Sequence, residues 1–99
     1  MKDSLFPARG GRVVLELDRI DAETVAYRAS LFVPDARYDA AVAVRLADGD
    51  VAFDAFEPAA PPGWLVAFAR AFLRSEWLAR RGDEREPWPA RLNRWRPAK

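Results

Sequence analysis

Residues 62–81 form the longest stretch with helical periodicity, and this segment most constrains the fold. At 3.6 residues per turn, its apolar side chains fall into two groups. The first group forms a stripe that we expect to face the core: Leu65, Phe68, Phe72, Ser75 and Ala79. The second stripe lies almost opposite and comprises Val66, Leu73 and Trp77. Because one sheet cannot cover opposite faces of a helix, the second stripe is predicted to need another layer of protein.

Four segments before the helix alternate apolar and polar residues, a period of two that is typical of half-buried strands. The sequence predicts them at about residues 12–18, 24–33, 38–46 and 50–56. Loops 21–23, 34–37 and 48–49 all place the same apolar set on one face, pairing Val33 with Tyr38 and Leu46 with Val51. We therefore predict an α+β fold: a four-stranded antiparallel meander in the order 1-2-3-4, with one long helix packed on its apolar face.

The chain length and the 51% apolar content fit a single domain spanning residues 1–99. Residues 1–11 contain Pro7 and two adjacent glycines and predict a loose N-terminal arm. The sheet is expected at 12–56, the helix at 62–81 and a short Trp/Arg-rich tail at 87–97. In that tail Trp88, Leu92 and Trp95 are spaced i, i+4 and i+7, which predicts two short helical turns.

Several functional classes are disfavoured by composition. The chain has no cysteine and no histidine, so thiolate and imidazole metal ligands and an imidazole base are absent. Most acidic residues fall in predicted turns, where aspartate forms local hydrogen bonds. We expect no metal, no cofactor and no enzymatic activity. No apolar run approaches the roughly 20 residues of a membrane span, so a cytoplasmic protein without membrane association is expected.

Charge is distributed unevenly along the chain. Residues 1–69 hold 7 basic and 11 acidic side chains, a net charge of −4, whereas residues 70–99 hold 9 and 4, a net charge of +5. The chain contains fourteen arginines, two lysines and nineteen alanines. This composition reflects either the GC-rich coding bias of a bacterial genome or selection for arginine chemistry.

The first functional hypothesis is a protein-interaction module that binds another protein or a second copy of itself as a homodimer. The contact would use the second helical stripe or the flat, alanine-rich face of the sheet. Candidate interaction residues are Val66, Leu73, Trp77, Trp88, Leu92 and Trp95. Alternatively, the tail folds back on the helix and covers the second stripe itself.

The second hypothesis is binding of single-stranded nucleic acid, because arginine binds phosphate bidentately and indole rings stack on bases. Candidate residues are Arg70, Arg74, Arg80, Arg81, Arg91, Arg94 and Arg96. The alternative is a solvated helix face whose arginines pair with nearby acids such as Glu76.

Four antiparallel strands followed by a helix that opens with Trp64 after a proline-containing turn resemble, in the order of elements, a known family. This is the positive cofactor 4 family of single-stranded DNA-binding coactivators. The resemblance implies a dimer that binds single-stranded DNA. It extends to no sequence motif, and no residue is carried over from it.

Overall fold

The computed structural model describes residues 5–81 and 87–98. They form a five-stranded antiparallel sheet and one helix: β1 Gly11–Ile20, β2 Thr24–Val33, β3 Ala36–Arg45, β4 Val51–Phe53, α1 Gly63–Arg80 and β5 Arg91–Arg96. The strand order is β4-β3-β2-β1-β5. The α+β class, the antiparallel sheet and the single helix are confirmed. The four-stranded order 1-2-3-4 is wrong, because a fifth strand completes the sheet beside β1.

The fifth strand is formed by the tail, for which two helical turns were the expectation. Leu92 lies opposite Leu15, and Arg94 lies opposite Val13. The meander leaves one edge of β1 without hydrogen-bond partners, and buried main-chain groups must be paired. Residues 91–96 do not alternate apolar and polar residues: Leu92 and Trp95 are three apart, so in the strand Leu92 packs against the core and Trp95 lies on the opposite sheet face.

The β1–β2 hairpin has the predicted register as far as Leu17, which lies opposite Tyr27. A bulge between Leu17 and Arg19 then shifts the pairing by one residue. The β2–β3 hairpin is offset by two residues: Val33 pairs with Ala36 instead of Tyr38. Only residues 34 and 35 remain in this turn. An offset of two keeps every side chain on its predicted face, because strand side chains alternate with a period of two.

The β3–β4 turn also differs from its prediction, since Val44 pairs with Val51. A type I′ turn would need positive φ at both Asp48 and Gly49. Only Gly49 adopts it, with φ of 76°. Instead, the Gly49 N–H donates to the Arg45 carbonyl at 2.7 Å. This hydrogen bond between residues i and i+4 is the one found in an α-helix, and the turn is longer than two residues. This offset is again two residues, so the predicted core face is retained.

Helix α1 packs across that apolar face and buries residues of both apolar stripes. Ser75 and Ala79, which were expected on the core face, are exposed, because the face turned to the sheet lies between the two stripes. The buried helix residues are Leu65, Ala69, Phe72, Leu73 and Trp77. On the helical wheel Ala69 lies between the two stripes, so this small side chain faces the sheet while larger ones reach down on either side. The expectation that the second stripe needs another layer is therefore wrong. Leu73 and Trp77 belong to the core, and Val66 packs half-buried against it.

Residues 5–10 of the N-terminal arm pack against the opposite sheet face. Residues 1–4 lie outside the described residues. The Phe6 ring meets Phe32 edge-on, with 5.2 Å between centroids, and Pro7 is buried. Phe32 is only 1% exposed, although its side chain points away from the helix. The described part of the arm is thus a packed segment, contrary to the expectation of a loose one.

Candidate functional site

Arginines are concentrated at the end of the sheet formed by β5. We call this group the basic edge; it comprises Arg9, Arg12, Arg91, Arg94 and Arg96. β5 is the last strand of the sheet, paired with β1 alone. Its alternation sends Arg91 to the open sheet face and Arg94 and Arg96 to the helix face, since the latter two pair with Val13 and Gly11. Guanidinium groups therefore occupy both faces of one sheet edge.

Carboxylates are scarce around the basic edge. In the described part of the chain the only one within 4 Å is that of Glu16, whose Oε2 lies 3.9 Å from Arg91 Nε. Arg12 Nη1 donates to the neutral Asn93 Oδ1 at 2.9 Å, while Arg12 Nε is buried without an acceptor. Most of the positive charge here is therefore not neutralised by carboxylates of residues 5–81 and 87–98.

Two arginines of the basic edge are held over aromatic rings of the helix. The Arg94 guanidinium carbon lies 4.3 Å from the Phe72 ring centroid, and that of Arg96 lies 5.3 Å from the Phe68 centroid. A cation over a ring face is attracted by the ring quadrupole but keeps its charge. These contacts orient the guanidinium groups and leave them able to bind an anion.

Arginines at the other edge of the sheet are paired with acids. Arg37 and Asp39 are 3.0 Å apart, and Arg45 lies 3.0 Å from Asp48. The side-chain hydrogen bond from Arg45 lowers the pKa of Asp48. This contrast distinguishes the basic edge from an arginine-rich surface in general.

The helix arginines that were candidates for a phosphate-binding ridge have other contacts. Arg70 Nη1 donates to the Val51 carbonyl on the edge strand β4. Arg74 and Arg81 lie over the Trp77 ring, at 5.8 and 5.5 Å from its centroid. These three side chains are directed to the β4 end of the fold. The structure does not bring them together with Arg91, Arg94 and Arg96.

Arg80 joins the helix to the segment that leads into β5. Its Nη1 lies 2.6 Å from Glu76 Oε1, and its Nε donates to the Pro87 carbonyl at 2.8 Å. Both side chains of the ion pair are mostly buried. The Arg80 guanidinium also lies over the Trp88 ring at 5.2 Å. Arg80 is therefore a structural residue between the helix and the tail.

Trp88 also holds the segment before β5 in place. Its ring lies 6.3 Å from that of Tyr27, whose hydroxyl donates to the Pro89 carbonyl at 2.7 Å. Burial raises the pKa of Tyr27 to about 12. Leu92 packs against the core from β5. Of the six proposed interaction residues, only Trp95 is an exposed large side chain, at 38%.

Trp95 forms one wall of a shallow depression that we call the corner pocket. Its lining residues are Pro7, Ala8, Arg9, Arg12 and Trp95. Trp95 Nε1 donates to the Arg9 carbonyl at 2.8 Å, and the Arg9 guanidinium lies 5.9 Å from the indole centroid. Sequence reasoning missed Arg9 and Arg12. The adjacent Gly10 and Gly11 were the available signal, since glycines permit the turn that returns the arm to β5.

The open sheet face carries a flat row of small side chains. Ala43 of β3 lies directly opposite Ala26 of β2 and Ala52 of β4. Arg28 is exposed beside this row and has no carboxylate within 4 Å among the described residues. The face is smooth enough for another flat surface to approach it.

Residues 5–81 and 87–98 contain no group of three carboxylate, histidine or cysteine side chains that could hold a metal ion. Within the same ranges no helix has the length and apolar character needed to cross a membrane. Comparisons of the chain with models of known protein families, with curated proteins and with solved structures give no match.

Proposed function

We propose that this protein binds single-stranded nucleic acid along the basic edge. The observation that carries the proposal is a cluster of guanidinium groups beside the exposed indole of Trp95, with almost no carboxylate partners among the residues that the structure describes. Guanidinium groups bind phosphates through charge-assisted hydrogen bonds, and an indole supplies a stacking surface that accepts any base.

The arginines on both faces of β5 favour a flexible nucleic-acid ligand over a rigid one. Arg91 lies on the open face, and Arg94, three residues further along β5, lies on the helix face. A single strand can bend around such an edge, and its unstacked bases are accessible to Trp95. A rigid duplex presents phosphates on a cylinder and conceals its base faces in the stack.

The test is the fluorescence anisotropy of a labelled oligothymidine titrated with the protein at 50 and 200 mM salt. Each phosphate neutralised on a single strand contributes a slope of about −0.7 to log K against log salt. The triple substitution Arg91→Gln, Arg94→Gln and Arg96→Gln is expected to weaken binding at least tenfold. It should also make the slope shallower by about 2.

Arg28→Gln is the matched control, because it removes an exposed arginine of β2, which β1 separates from β5, and this arginine has no carboxylate within 4 Å among the described residues. It should leave the affinity within about twofold of the original. Absence of binding at 50 mM salt would contradict the proposal. If the control lowers the affinity as much per arginine as the triple substitution does, net charge alone determines binding.

A second proposal is that the protein is an interaction module that self-associates through its open sheet face. The row formed by Ala26, Ala43 and Ala52 supports it, because small side chains let two sheets approach closely. Leu73 and Trp77 of the second helical stripe are buried and cannot supply this contact in the folded chain, and Val66 is half-buried. Sedimentation velocity should show a dimer that Ala43→Lys dissociates, while Ala67→Lys on the exposed helix surface should not. A monomer throughout would exclude this proposal.

In both proposals the protein acts by binding, without catalysis, and the cytoplasm remains the proposed compartment. The absence of cysteine and histidine supports the first point, since it removes two common nucleophiles and bases.

A further inference from the structure

We infer that the corner pocket is a subsite for a phosphate monoester carried by a nucleotide. This inference rests on the proposed function and adds to it a preference for a terminal phosphate. The pocket brings together two guanidinium groups, those of Arg9 and Arg12, with the indole of Trp95. A cation pair beside a flat aromatic ring matches the two chemical parts of a nucleotide, its phosphate and its base.

The pocket is held in shape by the chain around it. Gly10 adopts a φ of 74°, and a Cβ atom there would stand 2.3 Å from the Arg96 carbonyl oxygen. Glycine therefore permits the close turn by which the arm returns to β5. The hydrogen bond from Trp95 Nε1 to the Arg9 carbonyl then fixes the arm against the indole. The pocket walls come from opposite ends of the sequence but form one connected unit.

The electrostatics of the pocket favour an anion with more than one charge. Neither Arg9 nor Arg12 has a carboxylate within 4 Å in the described part of the chain. Asn93 orients Arg12 by accepting from Nη1, while Arg12 Nε is buried without an acceptor among the described residues. A phosphate monoester carries a charge of about −1.5 to −2 at neutral pH and three acceptor oxygens. An internal phosphodiester carries one negative charge, so the monoester should bind more tightly here.

The monoester could belong to the end of a nucleic-acid strand or to a free nucleoside monophosphate. The first experiment compares oligothymidines of equal length that end in a 5′-phosphate, a 3′-phosphate or hydroxyl groups, by competition in the anisotropy assay. A strand with a terminal phosphate is expected to bind at least tenfold more tightly than the hydroxyl-ended strand. Arg12→Gln should abolish this difference, whereas Arg28→Gln should preserve it.

The second experiment measures calorimetric binding of thymidine monophosphate, thymidine and inorganic phosphate to the full chain. Thymidine monophosphate should bind at least tenfold more tightly than either of the others. Trp95→Phe keeps an aromatic ring but removes the donor that fixes the arm, so it should reduce this advantage. Circular dichroism of each variant checks that the fold is retained.

The outcomes distinguish the corner-pocket inference from the proposed binding of single-stranded nucleic acid. Salt-dependent oligonucleotide binding without preference for a terminal phosphate overturns the corner-pocket inference and leaves the proposed function standing. Arg12-dependent binding of thymidine monophosphate without any binding of oligonucleotides overturns the proposed function and supports a mononucleotide site. Equal affinity for inorganic phosphate and thymidine monophosphate overturns the role of Trp95. If no ligand binds, both the corner-pocket inference and the proposed nucleic-acid binding are overturned.

Discussion

Trp77 and Gly49 are so close that a Cβ atom on Gly49 would stand 2.5 Å from Trp77 Cε3. The indole fills the space that a side chain at position 49 of the β3–β4 turn would occupy. Its Nε1 donates to the Leu46 carbonyl at 2.9 Å in the same turn. The C-terminal half of the helix is thus joined to one end of the sheet by packing and by a hydrogen bond.

Gly49→Ala should therefore destabilise the protein by about 2 to 4 kcal/mol, since it combines a strained positive φ with overpacking against the indole. Urea denaturation measures the change. Gly63→Ala is the matched control, because a Cβ atom there meets nothing within 4 Å and the residue begins the helix. The control should be neutral or slightly stabilising. Equal effects of both substitutions would refute the close packing at Gly49.

Trp77→Ala and Phe72→Ala should each lower the free energy of unfolding by about 3 to 5 kcal/mol, because each removes a buried aromatic side chain from the core. Leu78→Ala provides the comparison on the same helix, where the side chain is 49% exposed. It should cost less than about 1 kcal/mol. If Trp77→Ala altered assembly without altering stability, the assignment of Trp77 to the core would be wrong.

The buried hydroxyl of Tyr27 should make stability depend on alkaline pH. Burial raises its pKa from 10.0 to about 12 in the folded state. Between these values the unfolded chain loses the proton while the folded chain keeps it, so the free energy of unfolding falls as pH rises through this interval. Below pH 10 the contribution is complete. Tyr27→Phe should flatten this part of the stability curve, measured by urea denaturation at several pH values.

Tyr27→Phe also leaves the Pro89 carbonyl without its donor and should cost about 1 to 2 kcal/mol at pH 7. Tyr38→Phe is the control, since Tyr38 is the other tyrosine of the chain. Its substitution should leave the alkaline fall in place. An unchanged slope in Tyr27→Phe would show that other groups cause the alkaline effect.

Arg80→Met should loosen β5 more than it affects the rest of the sheet. The substitution keeps an apolar stem but leaves Glu76 unpaired and frees the Pro87 carbonyl. Hydrogen exchange is expected to become at least tenfold faster at the β5 amides of Leu92 and Arg94, with β3 little changed.

Arg81→Met removes a neighbouring charge that lies over Trp77 and forms no side-chain hydrogen bond or ion pair with residues 87–98. It should leave exchange in β5 unchanged. Uniform acceleration across all strands in Arg80→Met would show that the residue acts on global stability and not on the attachment of β5.

Alternation of apolar residues correctly predicted which side chains of the first four strands face the helix, even where a turn length was wrong. Both register errors were two residues, as at Val44 and Val51, and a period of two hides such an error. Turn geometry decides between these registers. It depends here on the contact of Gly49 with Trp77, a residue distant in sequence.

The strand could not be assigned from the tail's own sequence, because Trp88, Leu92 and Trp95 fit helical turns, whereas residues 91–96 show no alternation with a period of two. The open edge of β1 selects the strand, and that edge exists only in the folded sheet. The candidate site was predicted in part. Arg91, Arg94, Arg96 and Trp95 lie together as the nucleic-acid hypothesis requires, whereas the helix arginines do not, and Arg9 and Arg12 enter through the arm.

The position of β5 has a consequence for how the chain folds. β1 reaches β2 through a turn of three residues, 21–23, but it reaches β5 only after the 70 residues from 21 to 90. Loop-closure entropy makes the second contact costlier by about 3 kcal/mol in a flexible chain. The β1–β2 hairpin should therefore form early and the β1–β5 pairing late. Until then, β1 exposes an unprotected edge to other chains, so refolding yield should decline as protein concentration rises.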